Sequence, residues 1–520
     1  MSIHTKTHIS VLTQRPIRYA YQAAVIGRGM GQTPNRIGIQ LVIYKSIVVS
    51  RVDLGFNPRV SLKDAESPTR VATIAATLRR RIVVGNLNPG DHMPSVRQLA
   101  RTSGVSAFTA ARVYDVLVAE GAVDARRGAG HFVTQGVGRL NLEAVSGPEP
   151  PADSIWSLRR GYDSRLVRVD AGCGWLPPSW LFGDGVRSAL TQVARRPSAI
   201  AGRYGSVFGL RALRRHLTAS LGQRAIECTE DQIVLTHGAS QGLELCINAL
   251  TQPGDTVLVD EPCYPYVLAM LRLRGIQPIG VPRTSTGPDI SALNALAMAN
   301  KPSLFITNTT AHNPTGTTTS PQVAHDVLSA AKQYDFFIIE DDIFAELAPQ
   351  RTSSIASLDR WRRVVYLGSF SKTIAPNLRV GYVVADTECA QKIAELKNTM
   401  SLSSSELMEN IVLSILTAGR HRTHLERLRR RLAEAHEQVT RQFSASGVEI
   451  AFRGTGLFLW AKLPTSRESH EVVQMARTRG ILLAPSEMFR SDARSTGHYR
   501  FNVAYAGDAS LHSFIESLPE

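Results

Sequence analysis

The chain has 520 residues, 43% of them apolar and 20% charged. At about 100–200 residues per domain, that is enough for two or more domains with substantial cores and too apolar for a mainly disordered chain. No stretch approaches the roughly 20 apolar residues of a membrane span, and the first ten residues lack the apolar core of a secretory signal. The five cysteines are odd in number and show no C-x-x-C spacing, which argues against a disulfide framework or a zinc site and for the cytoplasm. The formal charge of +15 is uneven: residues 1–60 carry +7, residues 61–140 carry +5, and the other 380 carry +3. A basic first quarter on a near-neutral body reads as a nucleic-acid contact surface joined to something else.

In chain order, residues 1–66 read as a basic, flexible extension or the product of a misplaced start, with Gln40–Ser50 its most strand-like run. Ser67-Pro68 opens a helix on which Val71, Ile74, Ala75, Leu78, Ile82 and Val83 recur at helical spacing, and Gly85 to Gly90 breaks it. A second helix runs from Pro94-Ser95 to Ser103-Gly104. A third runs from Ser106 to Glu120-Gly121, with Val113, Leu117 and Val118 on one face. Ala122–Val133 has a hairpin pattern whose tip is Arg126-Arg127-Gly128-Ala129-Gly130. Helices joined by a short turn and followed by a basic hairpin predict a winged helix-turn-helix over residues 67–135, with DNA as its partner.

Residues 136–158, rich in Gly, Pro, Glu and Asn, read as a linker. From 159 to 520 strands and helices alternate. The apolar runs Gln232–Thr236, Thr256–Asp260, Leu304–Asn308, Phe336–Asp341 and Val364–Leu367 are separated by helical stretches such as Gln241–Leu250 and Pro321–Gln333. That predicts an α/β fold with a mainly parallel sheet and functional residues at the carboxyl ends of its strands.

Those ends carry a coherent chemistry. Ser369, Ser371 and Lys372 follow one strand, with Arg379 seven residues beyond the lysine. An amine flanked by hydroxyls and a guanidinium suits Schiff-base chemistry beside a phosphate. Asp341 ends another strand, where a carboxylate can hold a pyridine nitrogen protonated, while its neighbour Asp342 reads as a surface acid. Asn313 can donate to a phenolic oxygen, Tyr264 can stack on a planar ring, and Gly238-Ala239-Ser240 opens a helix suited to phosphate.

On these residues the chain resembles the MocR-type subfamily of GntR regulators. Residues 68–133 are similar to the GntR winged helix-turn-helix, carried by Gly85 to Ala100, and residues 160–515 are similar to class I aminotransferases of pyridoxal 5'-phosphate (PLP) fold type I. The resemblance implies DNA contacts by Ser95, Arg97, Ser106, Thr109 and the wing residues Arg127 and Gly128. It implies PLP as cofactor, with Lys372 as the PLP lysine, Asp341 at the pyridine nitrogen and Asn313 at the ring oxygen. Ser240, Ser369, Ser371 and Arg379 would hold the phosphate. It further implies Arg500 as the clamp for a substrate carboxylate and Tyr204 as a tyrosine reaching the neighbouring subunit's phosphate in a head-to-tail homodimer.

The sequence departs from the family pattern twice. Ala107, followed by Phe108, stands where an arginine usually opens the recognition helix, so operator preference should differ. Ile343 and Phe344 stand where a tyrosine usually supports the ring oxygen, so transamination should be slow. The expected function is a PLP-dependent transcriptional regulator that senses PLP or an amine or amino-acid effector. The rival is an active aminotransferase with an accessory winged domain. A plain DNA-binding protein with an inert α/β body leaves the intact lysine and phosphate cluster without a purpose.

Overall fold

The computed structural model describes residues 70–83, 87, 90–126, 129–134, 167–195, 202, 204–348 and 354–518. The N-terminal extension, the Ser67-Pro68 start, the linker, and Arg127 and Gly128 lie outside the described residues. The chain divides into two compact units, Met1–Leu140 and Asn141–Glu520.

The first unit is a small helical core closed by a hairpin. Helices α1 (Arg70–Val83), α2 (Val96–Ser103) and α3 (Ala107–Ala119) precede strands β1 (Val123–Arg126) and β2 (Gly130–Val133), which pair antiparallel from Val123↔Val133 to Arg126↔Gly130. Ser95 caps α2 by accepting a hydrogen bond from the Gln98 N–H at 3.2 Å. Gly104 ends that helix in the left-handed region, at φ +62°, where a β-carbon would be strained. Ser106 then caps α3 by accepting from the Thr109 N–H at 3.0 Å. Leu78, Ile82, Leu99, Val113, Tyr114, Leu117, Val123 and Val133 form one buried cluster. Val118, expected on the inner face of α3, instead points outward; Tyr114, one turn before it, takes the inward place and donates its hydroxyl hydrogen to the Pro94 carbonyl.

The second unit is built on an eight-stranded sheet of β3 (Ile233–Thr236), β4 (Thr256–Glu261), β5 (Gln277–Thr284), β6 (Gly287–Pro288), β7 (Leu304–Asn308), β8 (Phe337–Asp341), β9 (Val364–Ser369) and β10 (Gly381–Val384). The strand order is β3-β10-β9-β8-β7-β4-β5-β6. β4, β5, β7, β8 and β9 run parallel, while β10 is antiparallel to both of its neighbours and β6 to β5. Apolar side chains leave both faces with period two, as a sheet covered on both sides requires. Leu258, Phe305, Ile338 and Tyr366 enter one helix-covered core, and Val259, Ile306, Ile339 and Val365 enter the other. That is why these strands read as unbroken apolar runs.

A second sheet, which the sequence did not announce, follows near the C-terminus: β11 (Glu449–Ile450), β12 (Phe458–Lys462), β13 (Ala484–Pro485) and β14 (His498–Asn502), all antiparallel in the order β11-β12-β14-β13. It packs with the long helix Arg420–Ala445 around Leu428, Leu432, Phe443, Leu459 and Phe501.

Candidate functional site

Strand register sets out the phosphate side of the site. Gly381 of β10 pairs with Thr236 of β3 and with Ser369 of β9, so three strand ends stand level. β3 leads directly into the helix Gly238–Leu250, three residues earlier than its periodicity suggests, because Gly238 turns the chain at φ +74°. The Arg379 guanidinium lies against that turn and donates to the His237 carbonyl at 2.8 Å. A β-carbon at Gly238 would sit 2.7 Å from Arg379 Nη2, and one at Gly381 would sit 2.7 Å from the Ala239 nitrogen. Helix-start N–H groups at Gly238, Ala239 and Ser240, a guanidinium and a hydroxyl-rich strand end make an anion cradle. Ser369 Oγ accepts from the Ser371 N–H at 3.2 Å. The buried Ser371 Oγ has no hydrogen-bond partner among the described residues, so a phosphate oxygen fits a need the protein leaves open.

Lys372 follows this cradle, and its Nζ donates to the Gly174 carbonyl at 2.7 Å. Burial, helped by the nearby Arg500 guanidinium, lowers its amine to about 8. The neutral, nucleophilic form is therefore far more accessible than in an ordinary lysine. Asp341, at the end of β8, is raised by burial to about 7. A cationic ring nitrogen beside it would return it to the carboxylate, the response expected of a pyridinium partner.

Asn313 and Arg500 are brought together although 187 residues separate them: Arg500 Nη1 donates to Asn313 Oδ1 at 2.9 Å. Arginine can only donate, so the Asn313 amide NH₂ is left for a ring oxygen. Arg500 projects from β14, donates to the Gly172 carbonyl at 2.7 Å, and lies between the rings of Phe458 and Phe489 at 4.8 and 4.9 Å. Tyr264 is half-buried at the start of the helix Pro265–Leu273, its ring 5.3 Å from that of Tyr266. Tyr204 is 80% exposed and stands apart from these contacts.

Asp342 is not a surface acid. It is buried, with Arg224 Nη2 2.6 Å from its Oδ2 and the Tyr366 hydroxyl donating to the same oxygen at 3.1 Å. Sequence order hides this pair, because 118 residues separate its members. Glu340 is buried too, accepting from the Ser354 hydroxyl at 2.7 Å and the Ala356 N–H at 2.8 Å.

Sequence reasoning also passed over Asn308. Its Nδ2 donates to the Asp341 carbonyl at 2.7 Å, and its Oδ1 accepts from the Asn313 N–H at 2.8 Å. One carboxamide thus holds both residues expected to meet the ring. Asp260 accepts from the Asn308 N–H at 2.9 Å and is paired with Arg283 at 3.0 Å. The Gly172–Trp175 strap, which supplies carbonyls to Arg500, Lys372 and Asn502, was missed as well. An asparagine ending an apolar strand and a Gly-x-Gly before Trp175 were the available signals.

In the first unit Ser95 and Ser106 are helix caps, and Arg97, Thr109 and Arg126 lie on the same small body. Arg97 and Arg126 are exposed, and the Arg126 guanidinium lies 4.5 Å from the Phe132 ring centre.

Residues 186–518 match the family model "Aminotransferase class I and II", and residues 70–133 match "Bacterial regulatory proteins, gntR family". The chain is 29% identical to the uncharacterized HTH-type transcriptional regulator YdcR of Escherichia coli, over 83% of this chain and 94% of that one. It is 27% identical to the HTH-type transcriptional regulator TauR of Rhodobacter capsulatus, over 83% and 92%. The fold of the second unit is similar to that of Pyrococcus horikoshii kynurenine aminotransferase, solved in complex with PMP. That match has a TM-score of 0.64 at 24% identity and covers 72% of this chain and 96% of that one.

Proposed function

The chain belongs to the aminotransferase class I and II family and carries a gntR-family regulatory domain ahead of it, and on that premise we propose that it is a PLP-dependent transcriptional regulator. Its aminotransferase-like unit binds PLP and an amine or amino-acid effector, and its winged unit binds operator DNA. The observation that carries this reading is the set formed by Lys372, Asp341, Asn313 and the phosphate cradle with its unpartnered Ser371 hydroxyl, in one chain with an intact helix-turn-helix. Among the described residues no helix is long and apolar enough to cross a membrane.

Bound PLP supplies an aldehyde that condenses with amines and a pyridinium that withdraws electrons. Lys372 offers the amine that holds it, at a pKa that keeps part of the population neutral near physiological pH. Asp341 accepts the ring N–H, and Asn313 donates to the ring oxygen. Ser240, Ser369, Ser371 and Arg379 hold the phosphate, Tyr264 flanks the ring, and Arg500 receives the effector's carboxylate. Ile343 and Phe344 bring no donor, so ring-oxygen support falls to Asn313 and turnover is slow. The exposed Tyr204 completes the phosphate site of a second copy in a head-to-tail homodimer.

Borohydride reduction of the purified yellow protein, followed by peptide mapping, is expected to place the pyridoxyl group on Lys372. A label elsewhere, or none, would overturn the assignment. Loading of PLP onto the apoprotein should quicken about tenfold per pH unit until pH reaches about 8 and level off beyond it, because the neutral amine is the reacting form. A rate still climbing past pH 9 would mean an ordinary, solvated lysine.

Neutralising Arg97 or Arg127 should weaken operator binding by about 1–3 kcal/mol if a base contact is lost. Each phosphate contact removed should flatten the salt dependence by about one unit of slope. Titrations at several salt concentrations check both, and unchanged binding by both variants would make these arginines plain surface charge.

A further inference from the structure

The first turn of α3 exposes an aromatic ring where a DNA-reading helix ordinarily carries polar groups. Phe108 is 74% exposed, and Ala107 beside it is exposed too. Neither serves the core, to which α3 contributes Ala110, Val113, Tyr114 and Leu117. The two side-chain hydroxyls of this turn are partly committed to each other. The Ser106 and Thr109 hydroxyls lie 2.8 Å apart and share one bond, and Ser106 Oγ also accepts the Thr109 N–H. A single hydroxyl hydrogen therefore remains for a partner.

Exposed cations stand on the same small unit. Arg112 is exposed one turn further along the same face, and Arg97 and Arg101 of α2 are exposed in the helix before it. An exposed apolar side chain on a unit that also exposes arginines suits a major groove bordered by phosphates. In that groove the thymine C5 methyl is the apolar group that distinguishes one base from the others.

We propose that Phe108 reads a thymine through its C5 methyl group, so that this position of the operator is specified by apolar contact rather than by a guanidinium or an amide. The inference rests on the DNA-binding function proposed above. It gives Ala107, which stands where relatives usually carry an arginine, a consequence: the first turn has no charged reader, and the ring beside it is the longest exposed side chain of that turn.

The test uses a duplex selected by the full-length protein from a random-sequence pool, with each thymine replaced in turn by deoxyuridine, which removes only the methyl group. Wild type is expected to lose about fourfold in affinity at one thymine position, the effect of one buried methyl. Phe108→Ala should bind the unmodified duplex at least that much more weakly and be indifferent to the same replacement, while Phe108→Leu keeps part of the discrimination. Equal melting midpoints for the three proteins would exclude a folding defect. Methyl sensitivity that is absent in wild type, or fully retained in Phe108→Ala, overturns the inference while leaving DNA binding intact. Unchanged affinity of Phe108→Ala would do the same and assign the ring to a protein partner. Failure to select any duplex would overturn the DNA-binding function itself.

Discussion

A Lys372→Ala protein is expected to bind its operator as wild type does and to lose all transcriptional response to PLP or to an amine. The substitution removes the amine proposed to hold PLP and one hydrogen bond to the Gly174 carbonyl, and it leaves the sequence of residues 70–133 unchanged. A response requires a ligand that binds two states of the protein with different affinity, and without Lys372 that ligand loses its covalent anchor. Reporter transcription and operator titration, read on the same variant, separate the two effects. In parallel, wild-type turnover with common amino-acid and keto-acid pairs should be slow, since Ile343 and Phe344 offer no donor to the ring oxygen. A wild-type kcat on the order of 10 per second, with no operator binding by either protein, would decide for an aminotransferase.

Arg224→Met is expected to destabilise the aminotransferase-like unit by about 3–5 kcal/mol, the usual cost of leaving one member of a buried ion pair alone. Asp342 would then face the core with only the Tyr366 hydroxyl, at 3.1 Å, to offset its charge. Replacing both residues, as in Arg224→Met with Asp342→Leu, should recover most of the loss, because no uncompensated charge remains. Denaturant midpoints of the two single variants and the double variant complete the cycle. Three midpoints equal to that of wild type would mean that water, not Arg224, balances Asp342.

The parallel strands were legible because both of their faces are covered. Leu304–Asn308 is apolar until its last two residues, and its boundaries match those of β7. Asp341 could be singled out because it ends such a run, and Lys372 and Asn313 because each follows one within a few residues. What sequence order concealed is whatever depends on distant partners. Arg224 meets Asp342 with no local mark, and Asn308 joins the end of β8 to the Asn313 loop with only its place at the end of an apolar strand to signal it. β11 and β13 have two residues each, too few for any alternation to show. Gly238 opens its helix as the sequence suggested, and its positive φ lets the chain turn under Arg379. In α3, spacing alone could not distinguish Val118 from Tyr114; the hairpin packing against that helix decides it.

The two sheets of the second unit place different demands on a lineage of such chains. The groups that would meet the ring and phosphate come from strand ends of the large sheet and from the Asn313 loop, locked together by the Gly381 register and the Asn308 carboxamide. Arg500, the proposed receiver of the effector, stands on the small sheet, against the Gly172–Trp175 strap. Drift in β12 to β14 can therefore exchange one effector for another while the proposed cofactor groups on the large sheet stay unchanged, whereas the strap, whose Gly174 carbonyl holds Lys372, is tied to both. The opposite exchange, a new cofactor for the same effector, would require coordinated changes on several strands at once. New sensory specificities are thus expected to arise on the small sheet, felt by the proposed cofactor site through the bond between Arg500 and Asn313.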